Sequence, residues 1–140
     1  MDIPTGASRD VVSGLSMSRK SVLIVDDDAD IRDLLAEALV QEGFDVMTAA
    51  NGLEGLRILR GLRAPPSVIL LDLMMPILDG YGFLDQFRRD PVLASIPLVV
   101  VTAGHGVDRA RLGDSLEIIA KPFDFPRLVG VLHTLGAEGA

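Results

Sequence analysis

Four points in the sequence carry side chains that could do chemistry together: Asp26-Asp27-Asp28, Asp72, Thr102 and Lys121-Pro122. Each follows directly on a short, mostly apolar run: Ser21–Val25, Val68–Leu71, Leu98–Val101 and Ile118–Ala120. Two like charges about 4 Å apart repel by roughly 4 kcal/mol at an effective dielectric of about 20. Clustered carboxylates therefore either take up protons or bind a cation. Several carboxylate oxygens in a chain without cysteine select a hard cation. Mg²⁺ fits best, because it needs only one or two carboxylates and keeps waters for other ligands. Acidic residues after a strand also cap the next helix, and Asp28 and Asp30 are read in that way. Asp26 and Asp27 remain as the candidate cation ligands.

Asp72 has a different place. The preceding apolar run holds its backbone, while its side chain emerges at the rim of whatever sheet that run joins. A carboxylate so placed can act as a nucleophile and form an acyl phosphate. That chemistry needs a cation to neutralise the donor's phosphoryl oxygens, which Asp26 and Asp27 could hold. It also needs a positive charge and a donor for the product's oxygens, which Lys121 and Thr102 could supply.

These residues must be carried by elements that bring their ends together. After the first strand, Ile31, Leu34, Leu35, Ala38 and Leu39 recur at helical spacing and Gly43 stops the helix. Phe44–Thr48 reads as a second strand, and Asn51–Leu62 as a second helix with Leu53, Leu56 and Leu59 inward. Pro65 and Pro66 precede the third strand, Val68–Asp72. A loop with Pro76 and Gly80 leads to a helix over Tyr81–Arg89, and Pro91 and Pro97 to a strand over Leu98–Thr102. A weak helix over Val107–Leu112 precedes the strand Ile118–Ala120, and Asp124 caps a last helix reaching about Leu135. Five such βα units imply an α/β fold, a parallel sheet with helices on both faces. Ligands of such sheets sit beyond the C-terminal strand ends, where the candidate residues lie.

The 140 residues suffice for one domain. Residues 1–20, small and polar without a sustained period, are expected to form a flexible tail; 21–135 form the body, and 136–140 a short C-terminal tail. Net charge is −7, of which residues 1–20 carry +1 (Arg9, Arg19 and Lys20 against Asp2 and Asp10), leaving −8 on the remainder. A body this acidic argues against a nucleic-acid surface. Arg57, Arg60 and Arg63, at helical spacing, are read as a solvated helix face. The apolar runs are far shorter than the ~20 residues of a membrane span. The start lacks the layout of a signal peptide, so the expectation is a cytoplasmic protein with no membrane partner.

The segments VLIVDDDADIRDLL, LLDLMMPILDGYGFL, VVVTAG and IIAKPF resemble, in order and spacing, the signature segments of response-regulator receiver domains of two-component signalling. The resemblance covers about residues 21–135. It implies a flavodoxin-like doubly wound five-stranded parallel sheet of order 2-1-3-4-5, not a conventional enzyme but a phosphoryl acceptor. Asp72 would be phosphorylated by a histidine kinase or phosphotransfer protein. Asp26 and Asp27 would be the acidic pair, Asp27 binding Mg²⁺ directly and Asp26 mainly through water, with Asp72 and the Met74 carbonyl completing the set. Thr102 would be the switch hydroxyl, Lys121 the phosphoryl partner, and Pro122 would follow a cis peptide bond. Met75-Pro76 and Gly80 would shape the loop after Asp72.

Some positions depart from the family pattern. The aromatic expected three residues before the lysine is Ile118, and the stretch 113–117 lacks the usual turn. Gly104, Gly106 and Gly113 favour a short fourth helix. Met74 and Gly104 offer no group to orient water, so slow loss of phosphate is expected; His105 is read as a solvated loop residue. With only five residues after Leu135, output is expected through contact with a downstream protein or as a phosphate relay. A phosphorylation-independent interaction module on the same fold is the alternative, favoured by Ile118. A dinucleotide enzyme is excluded by the glycine-free first turn DDDADIR. A haloacid-dehalogenase-type phosphatase is disfavoured, since Asp72 lies on the third strand without a second Asp two residues on.

Overall fold

The computed structural model describes residues 20–103, 106–113 and 116–139. The expectations placed on residues 1–19, Gly104, His105 and 114–115 lie outside the described residues. Five βα units follow one another: β1 (Ser21–Val25), α1 (Ala29–Gln41), β2 (Asp45–Ala49), α2 (Gly52–Gly61), β3 (Val68–Asp72), α3 (Gly80–Arg89), β4 (Leu98–Thr102), α4 (Arg109–Leu112), β5 (Glu117–Ala120) and α5 (Phe125–Gly139). All strand pairs are parallel, in the order β2-β1-β3-β4-β5.

Side chains alternate across the sheet, and the core divides accordingly. Leu23, Val25, Ile69, Leu71 and Val100 point to one face, where Leu56 and Leu59 of α2, Phe83, Leu84 and Phe87 of α3 and Leu112 of α4 cover them. Val22, Ile24, Val68, Leu70, Val99 and Val101 point to the other, under Leu35 and Leu39 of α1 and Leu128 and Leu132 of α5. This explains why β3 and β4 read as continuous apolar runs: both of their faces are buried.

Several boundaries and two inward assignments differ from the sequence expectation. Leu34 is 68% exposed and Leu53 37% exposed, because each sits at the margin of its helix's apolar stripe. Gly55, without a side chain, takes the inward place on α2, where a Cβ would meet Val25 and Phe83 at 3.1 and 3.2 Å. α4 is only four residues long, and α5 continues past Leu135 to Gly139. Among the described residues no helix is long and apolar enough to cross a membrane.

Candidate functional site

Strand register brings the candidate residues to one edge. Val25 of β1 pairs with Leu71 of β3, so Asp26 and Asp72 leave the sheet side by side. Asp72 pairs with Val101 of β4, and Thr102 with Ala120 of β5. The backbone N–H of Lys121 donates to the Thr102 carbonyl at 2.7 Å, which carries the pairing one residue further and places the lysine at the same rim.

Carboxylate oxygens of Asp26, Asp27 and Asp72 lie within 4.8 Å of one another. Asp26 and Asp72 are buried, as is Thr102, while Asp27 is exposed. The Lys121 ammonium lies 3.4 Å from Asp26 Oδ2 and 3.8 Å from Asp72 Oδ1. Asp72 Oδ1 also accepts a 3.4 Å hydrogen bond from the Met74 N–H. Burial, and then the neighbouring Asp26 charge, push the Asp72 pKa up to about 6, while Lys121 and the Met74 N–H pull the other way. One ammonium against three carboxylates leaves the cluster short of positive charge. An all-oxygen set open to solvent at Asp27 fits a hard divalent cation such as Mg²⁺.

The loop from β1 to α1 is held at every turn. Asp26 N–H donates to the Ala49 carbonyl at 3.1 Å, and Asp26 Oδ1 accepts from the Asp28 N–H at 2.9 Å. Asp28 caps α1, accepting from the N–H groups of Asp30 and Ile31. Arg32 donates to the Asp26 carbonyl at 2.8 Å. Asp27 has no partner among the described residues, so its carboxylate is the least committed of the three. Sequence reasoning missed Arg32 and the Ala49 carbonyl. Arg32 stands in the first turns of α1, within reach of the loop before it, and that spacing was its available signal.

On the far side of Asp72, Met74 is 66% exposed and the loop turns sharply at Ile77. Leu78 N–H donates to the Pro76 carbonyl across Ile77, whose φ is +72°. Gly80 then opens α3 tight against the strand end. Its N–H donates to the Leu73 carbonyl at 2.8 Å, and a Cβ there would lie 2.6 Å from Leu73 Cα and 2.8 Å from the Asp72 carbonyl oxygen. The Lys121-Pro122 peptide bond is cis. Ile118 is half-buried and packs against the core face shared by α2, α3 and α4.

Residues 22–133 match the family model described as "Response regulator receiver domain". The chain is 38% identical over 110 residues to "Probable transcriptional regulator ycf27" of Porphyridium aerugineum, covering 76% of this chain and 44% of that protein. It is 35% identical over 117 residues to "DNA-binding dual master transcriptional regulator RpaA" of a Synechocystis strain, covering 81% and 48%. The chain thus spans about half the length of these curated relatives. Among solved structures, the receiver domain of the Francisella response regulator 1452 superposes with a TM-score of 0.76 at 26% identity, covering 86% of this chain and 99% of that one.

Proposed function

The chain belongs to the response-regulator receiver domains, and we propose that within that family Asp72 is its phosphoryl-accepting residue. The observation that carries this reading is the meeting of Asp26, Asp27 and Asp72 within 4.8 Å of one another beside the Lys121 ammonium. An Asp72 carboxylate oxygen forms the bond to phosphorus as the bond to the donor's leaving atom breaks, and the leaving atom keeps the electron pair. Asp72 attacks only when ionised, and its pKa of about 6 leaves it ionised at neutral pH. Lys121 then turns from a carboxylate partner into a partner for the new phosphoryl oxygens. The Thr102 hydroxyl reaches one of them once the end of β4 moves inward. Mg²⁺, held by Asp26, Asp27, Asp72 and the Met74 carbonyl, would neutralise the phosphoryl charge. The chain's chemistry is confined to its own phosphorylation and dephosphorylation.

The donor is a histidine kinase or phosphotransfer protein, acting in the cytoplasm. A groove of about 650 Å³ supports a protein donor: Ile31, Leu34, Ala38, Pro122, Phe123 and Phe125 line it, and Lys121 joins it to the acceptor. Output passes to a downstream protein. Residues 21–135 act as one receiver unit.

Labelling by a small-molecule phosphodonor in Mg²⁺ tests the assignment. Asp72→Asn abolishes it; labelling that persists in the variant overturns the reading and favours an interaction module independent of phosphorylation. Once formed, the acyl phosphate decays over minutes or longer, because Met74 offers attacking water no acid or amide. Decay within seconds would remove that part.

A further inference from the structure

α4 has too few residues to be stable alone, since a first helical turn costs more than it returns. Besides the buried Leu112, it is held by one face of α3, where Tyr81, Asp85 and Arg88 stand at i, i+4 and i+7. The Tyr81 hydroxyl accepts a 2.7 Å hydrogen bond from the N–H of Asp108, the residue that caps α4. The Arg111 guanidinium lies 4.8 Å over the Tyr81 ring and 3.0 Å from Asp85 Oδ2. At the other end of α4, Arg88 donates to the Arg111 carbonyl at 2.7 Å and also to the Leu112 carbonyl. These are the terminal carbonyls that a helix leaves without partners. α3 therefore clamps both ends of α4.

The N-terminal end of α3, next to Tyr81, is also held against the strand end, by the contact of Gly80 with Leu73 and the Asp72 carbonyl. One rigid helix thus runs from the backbone of the acceptor to both ends of α4. The chain segment that begins at Thr102 is anchored at its far end by the Tyr81 hydroxyl. Thr102 and the α4 cap Asp108 are thus the two ends of one short chain segment, and the Asp108 end is tied to α3.

We propose that Tyr81, Asp85 and Arg88 form a latch that holds α4 in the resting position, and that phosphoryl capture is read out by its release at the α3–α4 seam. This rests on Asp72 being the acceptor and adds how its modification reaches the surface. Tyr81 and Arg88 act as positioning residues; neither touches the acceptor. By linkage, a latch that opposes capture must weaken capture, and loosening it must strengthen capture.

The test is the affinity of the full chain for beryllofluoride with Mg²⁺, titrated by NMR, in wild type, Tyr81→Phe, Arg88→Gln and Ile118→Ala. Tyr81→Phe removes one oxygen and keeps the ring under Arg111, so the fold is retained even if Arg88→Gln loosens α4 outright. Both latch variants bind about fivefold tighter or more, and Ile118→Ala stays within about twofold of wild type. In wild type, beryllofluoride speeds hydrogen exchange at the amides of Arg111, Leu112 and Gly113. Unchanged or weaker binding by both latch variants overturns the proposal, as does slowed exchange at those amides. Tightening by Ile118→Ala as large as that by Tyr81→Phe also overturns it, since readout would then pass through β5. Wild type that fails to bind beryllofluoride overturns the reading of Asp72 itself, and the latch with it.

Discussion

Asp72 sits where its own charge is unfavourable, buried beside Asp26 with one ammonium between them. Its pKa rises from 3.8 to about 6 on folding, so the folded state holds the proton more tightly than the unfolded chain. The favourable contribution is full below about pH 4 and is lost as pH rises through about 6. Without metal, Asp72→Asn is therefore expected to raise stability at about pH 7.5 by roughly 1–3 kcal/mol, and to change little at about pH 4. Urea unfolding at the two pH values checks this; equal effects at both would contradict it. Ile77 carries a second local cost. A β-branched residue at φ +72° with its side chain 76% exposed is strained and has few contacts to lose. Ile77→Gly is expected to stabilise by about 1 kcal/mol, less the entropy glycine adds to the unfolded chain. A thermal melt showing destabilisation would contradict it. Neither effect was legible beforehand. Asp72 was marked by its place after an apolar run, but its burial depends on neighbours far away in sequence.

At the scale of elements, the junction between β3 and α3 transmits most. A Cβ at Gly80 would press into the backbone of Leu73 and Asp72, which cannot yield as a flexible side chain could. Gly80→Ala is expected to cost about 2 kcal/mol or more and to reduce Mg²⁺ binding, by displacing Asp72 and Met74 together. Fluoride-free Mg²⁺ titration followed at the Met74 amide reads the second effect; native-like binding would contradict it. The strands were legible because β3 and β4, buried on both faces, must be apolar throughout. α4 was legible only as a weak helix. Its pattern is too short to repeat, and apart from the buried Leu112 what holds it lies on α3, in side chains that sequence spacing presents as an ordinary polar face.

For the whole molecule, the edge carrying Asp26, Asp27 and Asp72 concentrates negative charge on a chain already at −7. If Mg²⁺ binds at Asp72 as proposed, it competes there with the proton, and metal should stabilise the fold more as pH rises through about 6. At about pH 7.5, millimolar Mg²⁺ is expected to raise Tm by a few degrees, about 1 kcal/mol for a domain of this size. At about pH 5 the rise should be smaller, and a rise that grows toward acid would contradict the site. The sequence by itself determined the fold class and the identity of the acidic residues, the hydroxyl and the lysine. Both are written in local patterns: apolar runs of strand length, helical stripes, and polar residues directly after them. Tertiary structure alone decided how these groups share charge, because strand order sets which ends are neighbours, and the Asp72 pKa follows from that neighbourhood. It also decided that α3 clamps α4, since contacts between residues 20 to 30 positions apart leave no periodic trace in a sequence.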